Sequence, residues 1–457
     1  MLPFNMQYIL LLFCFSVNRF VDKAASKRYN YMEIKGEKMQ TIYDIDKSLL
    51  SLAEEAEREV KNKFEEYQNL CLYNSARVLK AFQTQKLSNG DFAEVNGYGG
   101  WDEGRNKLEA IYADLFDTED ALVRPQIMSG THALALTFKG LLNYGDTFIS
   151  ISGKPYDTLQ TIIGTAGDSK HSLIKKGFKY EEIDLVDGDF DIPTIQKRLK
   201  KSKVKLVEIQ RSCGYAQRPS LTIEKIERVC KAIREVDKEV IIMVDNCYGD
   251  LVEEKEPTAV GADIAVGSLM KNLGGGIAKT GGYVVGKKAL IEDIAENFTA
   301  PGVGKELGAN FNENLNFFKG LYFAPSVVCS SLKTMTFASK LLEKLGFDVK
   351  PKAEDKRTDI IQMVNLGSEE KMINFHVGLQ KGLPINSFVT PVAAPMPGYP
   401  HDEIMADGSF TAGSTIELSS DGPMVEPFTA FMQGGLTYEY GKLGILIGIN
   451  EILKSQK

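Results

Sequence analysis

An α/β fold on a mostly parallel, doubly wound sheet, followed by a smaller C-terminal α+β unit, is what this 457-residue sequence predicts. Two observations carry that prediction. Between about residues 120 and 286, short apolar runs alternate with amphipathic segments. Strands covered by helices on both faces of a parallel sheet read in this way. After about Ser326 the alternation stops, and helices, Pro- and Gly-rich turns and short strands follow. The length agrees, because it fits two or three structural units around at least one large core.

In chain order, residues 1–40 stand apart. The apolar run Tyr8–Val17 (YILLLFCFSV) is too short to cross a bilayer. No Lys or Arg precedes it, and no small-residue cleavage site follows. The segment is a leader, an extension, or a start read too early, with Met32 and Met39 as the other starts. Residues 41–95 form a helical arm, since Leu49, Leu52, Ala53, Ala56, Val60 and Phe64 recur at three- and four-residue spacing. A large domain over 96–325 opens on a glycine-rich loop and a helix. It continues with the strand DALVRPQI, the helix SGTHALALTFKGLL, the strand DTFISIS and the helix YDTLQTIIGTAG. Then come the strand VKLVEIQ, the helix TIEKIERVCKAIREV and the strands EVIIMVD, ADIAVGS and GGYVVG. Crossovers in such a sheet are right-handed, and ligands bind beyond the carboxyl ends of its strands. A small domain over 326–457 holds the helices SSLKTMTFASKLLEKLGF and EEKMINFHVGLQKG, and the chain closes on the helix within GGLTYEYGKLGILIGINEILK.

Composition narrows the function. With 43% hydrophobic and 25% charged residues, the chain is an ordinary soluble globular protein. Its net charge of -7 gives no basic balance for nucleic acid, so a small-molecule partner is expected, without a membrane partner. The six cysteines form no CxxC pair and read as free thiols of a reducing, cytoplasmic setting. The four histidines are too scattered for a metal site.

The strand ends carry the chemistry. After the first strand, Ser129-Gly130-Thr131 opens a helix whose free N–H groups and hydroxyls suit a phosphate; a plain helix cap is the other reading. Asp245 ends a central strand, where a carboxylate is costly without a cationic partner; a cap or a salt bridge would also explain it. Lys271 follows the strand ADIAVGS and precedes Gly274, Gly275 and Gly276. Burial there should lower its pKa, as suits a Schiff-base amine, and the glycines read as room for a ligand. Each feature alone is weak. Together, with Lys271 following Asp245 by 26 residues (271 − 245), they meet the needs of pyridoxal 5′-phosphate. Its phosphate takes N–H and hydroxyl donors, its ring nitrogen a carboxylate, and its aldehyde a lysine.

The stretches MVDNCYGDL, ADIAVGSLMKNLGGG and KTGGYVVG resemble the Cys/Met-metabolism group of fold-type I pyridoxal-phosphate enzymes. Those named GYGGWDEGRNKLEAIYADLF, SGTHAL, QRSCGYAQRPSL, VTPVAAPMPGY and GSTIELSSDGP resemble its methionine γ-lyase-like, or aluminium resistance, branch over roughly Leu49–Lys454. The resemblance implies that Lys271 carries the cofactor aldehyde and that Asp245 pairs with the ring nitrogen. It also implies that Gly130, Thr131 and Ser268 hold the phosphate and that Tyr156 stacks on the ring. Tyr98 and Arg105 would reach a neighbouring subunit's phosphate, in a homodimer or homotetramer; a surface loop with a local ion pair is the other reading. Arg211 and Arg218 either face the ligand or make structural ion pairs. His132 reads as packing beneath the phosphate.

Three positions depart from the family pattern. Cys247 and Met270 stand where the γ-lyases carry threonine, and Val425 stands where the branch carries an arginine. The activity implied is β- or γ-elimination from a sulfur-containing amino-acid substrate. An aminotransferase, a threonine-aldolase-like carbon–carbon lyase, and a non-catalytic protein of metal tolerance are the alternatives.

Overall fold

The computed structural model describes residues 42–98, 102–396, 399 and 401–455. The apolar run at Tyr8–Val17 and the possible starts at Met32 and Met39 lie outside them. By contact the chain divides into Met1–Glu55 and Ala56–Lys457. The elements are α1 (Lys47–Glu59), α2 (Lys61–Thr84), α3 (Glu103–Leu115), β1 (Asp120–Arg124), α4 (Gly130–Leu141), β2 (Thr147–Ser150), α5 (Asp157–Ile163) and β3 (Lys179–Glu182). A two-stranded hairpin follows, β4 (Leu185–Val186) and β5 (Asp189–Phe190), then α6 (Ile192–Lys201), β6 (Leu206–Gln210), α7 (Ile223–Val236), β7 (Ile241–Asp245), β8 (Ile264–Ser268), β9 (Gly282–Gly286) and α8 (Lys288–Phe298). The rest is α9 (Asn314–Lys344), β10 (Asp348–Lys350), β11 (Ile361–Asn365), α10 (Glu369–Lys381), β12 (Ala394–Pro395), β13 (Asp402–Asp407), β14 (Ser419–Pro423), β15 (Thr429–Gln433) and α11 (Tyr438–Ser455).

Seven strands form the large sheet in the order β1-β9-β8-β7-β6-β2-β3. It is parallel from β8 through β3, and only β9 runs against its neighbours. The apolar runs explain its burial. In β7, Ile241 and Met243 join one core with Leu134 and Phe138 of α4 and Ile291 and Ile294 of α8. Ile242 and Val244 point the other way, into Ile195 of α6 and Ile226 and Ile233 of α7. Each such side chain contributes about 1.5–3 kcal/mol by leaving water. The long helix α9 packs along α2, where Tyr67 Oη lies 3.0 Å from Thr336 Oγ1. The domain step expected between 325 and 326 falls inside α9, at Pro325.

A second sheet of six strands, order β10-β11-β15-β14-β13-β12, is antiparallel throughout. The strands β3, β10, β13 and β15 were not expected from the sequence. His376 of α10 is fully buried against this sheet, 2.8 Å from the Met372 carbonyl through Nδ1 and 3.1 Å from Ser420 Oγ through Nε2. The carbonyl can only accept, so Nδ1 carries the proton and Ser420 donates to Nε2. Burial holds the ring down to about 4, although the Met372 carbonyl favours the charged form. The unfolded chain therefore takes up this proton first. The stability from His376 is full above about 6.5 and is lost as pH falls towards 4, a change of about 3 kcal/mol. Urea titrations at pH 7 and pH 4 should show His376→Gln losing less stability on acidification than the parent chain.

Among the described residues no helix is long and apolar enough to cross a membrane, and no cluster of ligands suits a metal ion. The five described cysteines are free thiols.

Candidate active site

The carboxyl ends of β1, β6, β7 and β8 lie along one edge of the large sheet. Asp245 ends β7, Ser268 ends β8 and Gln210 ends β6, and α4 opens at Gly130 soon after β1. Ser129 caps α4 by accepting the His132 N–H at 3.1 Å. The Cys247 N–H donates to Asp245 Oδ1 at 3.1 Å. Lys271 follows β8, and its Nζ lies 3.8 Å from the centre of the Tyr248 ring. An ammonium over such a ring face is attracted by its quadrupole. Tyr248 takes a left-handed φ of 69°, a strained state for a bulky residue. Asn272 Nδ2 pins its carbonyl at 3.1 Å and that of Asp250 at 2.9 Å. Tyr156, at the start of α5, donates its N–H to Gln210 Oε1 at 2.7 Å, and its hydroxyl lies 2.5 Å from Thr131 Oγ1.

Some of these groups line a cavity of about 220 Å³; Gly130, Thr131 and Ser268 lie outside its lining. Tyr156, Gln210, Asp245, Cys247, Tyr248 and Lys271 form the large-sheet side, and Thr415, Asp421, Phe431, Gln433 and Tyr399 the opposite side. Tyr215 completes an aromatic wall, its ring 4.9 Å from Phe431 and 5.7 Å from Tyr399. Gln433 Nε2 donates to Asp421 Oδ2 at 3.1 Å.

The expected fall in the Lys271 pKa does not occur. Burial works to lower it, but the acidic groups of Cys247, Tyr248, Asp245 and Tyr156 outweigh burial and hold the ammonium above its ordinary value. Tyr156 is pushed up to about 12, by burial first; Lys271 opposes the rise and Asp245 adds to it. The glycines after Lys271 also differ from expectation. A Cβ on Gly274 would meet the Leu269 carbonyl oxygen at 1.6 Å, and one on Gly275 the Gly320 oxygen at 2.4 Å. They let the lysine loop pack against the α9 backbone, and they do not line the cavity.

The start of α4 meets Cys247 and Ser268. A Cβ on Gly130 would stand 3.1 Å from Cys247 Sγ and 3.3 Å from Ser268 Cβ, so the helix start, Cys247 and Ser268 converge on one spot. N–H groups at the start of a twelve-residue helix suit an anion there. Gly130, Thr131 and Ser268 could hold the phosphate of pyridoxal 5′-phosphate, with Asp245, Tyr156 and Lys271 placed for its ring and aldehyde. Gly130→Ala should weaken cofactor binding by about 5- to 150-fold, the 1–3 kcal/mol of an overpacked site. Titrating the cofactor into the stripped variant measures this.

The remaining expected residues divide. Tyr98 is 72% exposed, and Arg105 is buried, donating to the Gly97 and Gly308 carbonyls at 3.2 and 3.4 Å. Neither lines the cavity. Arg211 is structural: fully buried, it donates to Asn246 Oδ1 at 2.8 Å, the Gly249 carbonyl at 2.9 Å and Glu253 Oε1 at 3.0 Å. Arg218 donates to the Gln210 and Ser212 carbonyls, both at 2.8 Å, and does not line the cavity. His132 accepts the Met128 N–H through Nδ1 at 3.2 Å. Cys247 lines the cavity. Met270 and Val425 do not; Val425 is 40% exposed on the turn after β14. Sequence reasoning missed Gln210, Tyr248, Tyr215, Asp421 and Gln433. Gln210 and Tyr248 had a signal in their place at or just past a strand end, and Tyr215 and Asp421 lie in the family-like stretches QRSCGYAQRPSL and GSTIELSSDGP.

Known proteins bear on this geometry. The family model described as methionine gamma-lyase matches residues 49–453. The "Uncharacterized protein YnbB" of Bacillus subtilis (strain 168) is 44% identical over 410 residues, 89% of this chain and 97% of that one. The crystal structure of a "putative cystathionine beta-lyase involved in aluminum resistance" from Clostridium acetobutylicum superposes with a TM-score of 0.89 at 45% identity, covering 92% of this chain and 99% of that one. A "carbon-sulfur lyase involved in aluminum resistance" from Clostridium novyi NT gives 0.87 at 42% identity, covering 91% and 98%. With the model spanning most of its length, the chain belongs to the methionine gamma-lyase family.

Proposed function

We propose that this chain is a carbon–sulfur lyase of the fold-type I class that uses pyridoxal 5′-phosphate to eliminate a thiol from the β- or γ-carbon of a sulfur-containing amino acid. The observation that carries the reading is one cavity shared by the Lys271 amine, the Asp245 carboxylate and the Tyr156 ring. The names of the two solved relatives support carbon–sulfur chemistry. Gly130 and Thr131 hold the phosphate through their N–H groups and Ser268 through its hydroxyl. Asp245 faces the ring nitrogen, Tyr156 the ring, and Lys271 the aldehyde. When bound, the cofactor supplies that aldehyde and an electron-accepting ring.

The protein's own part is proton traffic and placement. Lys271 Nζ takes the substrate α-proton as general base. Tyr248, under the same nitrogen, keeps the amine over the reacting carbon once it is protonated. The C–S bond breaks, the sulfur leaves as a thiol, and water releases the remainder as a 2-oxo acid and ammonia. In this reading the protein is a cytoplasmic homodimer or homotetramer, with the exposed Tyr98 directed to a second copy's phosphate from a loop that the buried Arg105 holds at the Gly97 carbonyl. The free thiols suit that compartment.

The test is product analysis. The cofactor-loaded protein, given cysteine- and homocysteine-derived thioethers, should release thiol and 2-oxo acid in equal amounts over many turnovers. One equivalent of 2-oxo acid without thiol would show an aminotransferase and end the lyase reading.

A further inference from the structure

Two cysteines that do not line the cavity meet where α2 packs against α9. These helices run antiparallel. Tyr67 lies beside Thr336, whereas Phe82, further along α2, meets Phe318, earlier in α9, with ring centres 5.9 Å apart. Between these two contacts Cys71 of α2 reaches α9, its Sγ 3.9 Å from Ser326 Oγ. Cys329 follows Ser326 by three residues and so shares that face of α9, one turn on. The Cys71 sulfur is also 4.0 Å from Ser75 Oγ on its own helix. Cys329 belongs to the core between the helices, and the half-buried Cys71 packs against that core.

The two thiols are unequal. A hydrogen bond from the Cys329 thiol draws Cys71 below its ordinary pKa; burial opposes the fall, and the Ser326 and Ser75 hydroxyls and Lys333 add to it. The same contact raises Cys329, as does burial. Cys71 therefore carries the negative charge and Cys329 the proton. Cys213, Cys230 and Cys247 differ, since each is buried and burial raises its thiol. The thiolate is the reactive form of cysteine. Cys71 is charged, reachable from solvent and beside a second thiol, and packing alone requires none of these.

We propose that Cys71 and Cys329 form an oxidation site for hydroperoxides, in which Cys71 takes the oxidant and Cys329 closes a disulfide between α2 and α9. The Cys71 thiolate attacks one oxygen of the hydroperoxide. The O–O bond breaks, that oxygen stays on sulfur as S–OH, and the other leaves and takes a proton, as water or an alcohol. The Cys329 sulfur then attacks the Cys71 sulfur. Its S–H proton goes to the departing hydroxyl, which leaves as water. The two thiols lose two electrons and the hydroperoxide gains them. A small thiol reopens the bond by exchange. The bond ties α2 to the helix whose Gly320 backs Gly275 in the lysine loop. The site is independent of the lyase reading.

Mass spectrometry on the cofactor-loaded protein tests it. After hydrogen peroxide, a digest should contain the Cys71 and Cys329 peptides joined, two hydrogens lighter than their sum, and dithiothreitol should separate them. In the reduced protein, iodoacetamide at pH 7 should alkylate Cys71 about tenfold or more faster than Cys213, Cys230 or Cys247. Cys329→Ser should leave the oxidised Cys71 as a sulfenic acid that dimedone captures. Cys71→Ser should abolish the joined peptide. Either variant serves if the other fails to fold. Three results overturn the site: a Cys71 that peroxide leaves as a thiol, one that passes to sulfinic acid without joining Cys329, or a bond found only between two copies of the chain. Labelling of Cys71 no faster than that of the buried cysteines does the same. None of these results bears on thiol release, so this site and the lyase reading fail separately.

Discussion

Lys271→Ala is expected to cut thiol release by at least about 10³-fold, within the range a positioned general base supplies, while the far-ultraviolet circular dichroism stays that of the parent. The parent, loaded with cofactor and treated with borohydride, should yield a cofactor-labelled peptide containing Lys271, and the variant none. The structure sharpens the expectation. Lys271 Nζ lies in the cavity, 3.8 Å from the centre of the Tyr248 ring, so the variant loses the amine from that place. A small amine such as ethylamine, added to the variant, should enter the vacated space and restore part of the rate, with a dependence on pH set by the added amine. Full activity in the variant would remove Lys271 from the reaction.

Arg211→Met is expected to destabilise the protein by about 3–5 kcal/mol, the cost of leaving buried carboxylates without their cation. Arg211 is fully buried and holds Glu253 at 3.0 Å, Glu256 at 3.7 Å and the Asn246 side chain at 2.8 Å. Asn246 Nδ2 in turn donates to Asp250 at 2.7 Å and Glu256 at 2.9 Å. The denaturant midpoint should fall with little change in its slope. Adding Glu253→Gln and Glu256→Gln should recover part of the loss, because the stranded charges go with the cation. A residue acting on substrate would instead change KM or kcat and leave the midpoint alone.

These two residues show what the sequence made legible. Lys271, Asp245 and Tyr156 could be found because each stands at or near a strand end, and a parallel sheet gathers such ends at one edge. Arg211 also follows a strand end, but its partners Glu253 and Glu256 lie more than forty residues later, so only packing reveals an ion pair. Gly274 and Gly275 failed for the same reason, since Gly320, which they meet, is on a distant helix. The far wall was the least visible part. Asp421 and Phe431 belong to β14 and β15, and which way they face depends on a register that exists only once those strands pair.

The cavity spans the chain from Tyr156 to Gln433, and that has a consequence in time. Lys271 leaves the ribosome 162 residues (433 − 271) before Gln433, the last described residue of the cavity lining. At the usual pace of synthesis, the interval is about 8–32 s. For that interval a nascent chain carries Lys271 without the β14 and β15 residues that complete its cavity. A chain that stopped before β15 would lack Phe431 and Gln433 and could not enclose that lysine.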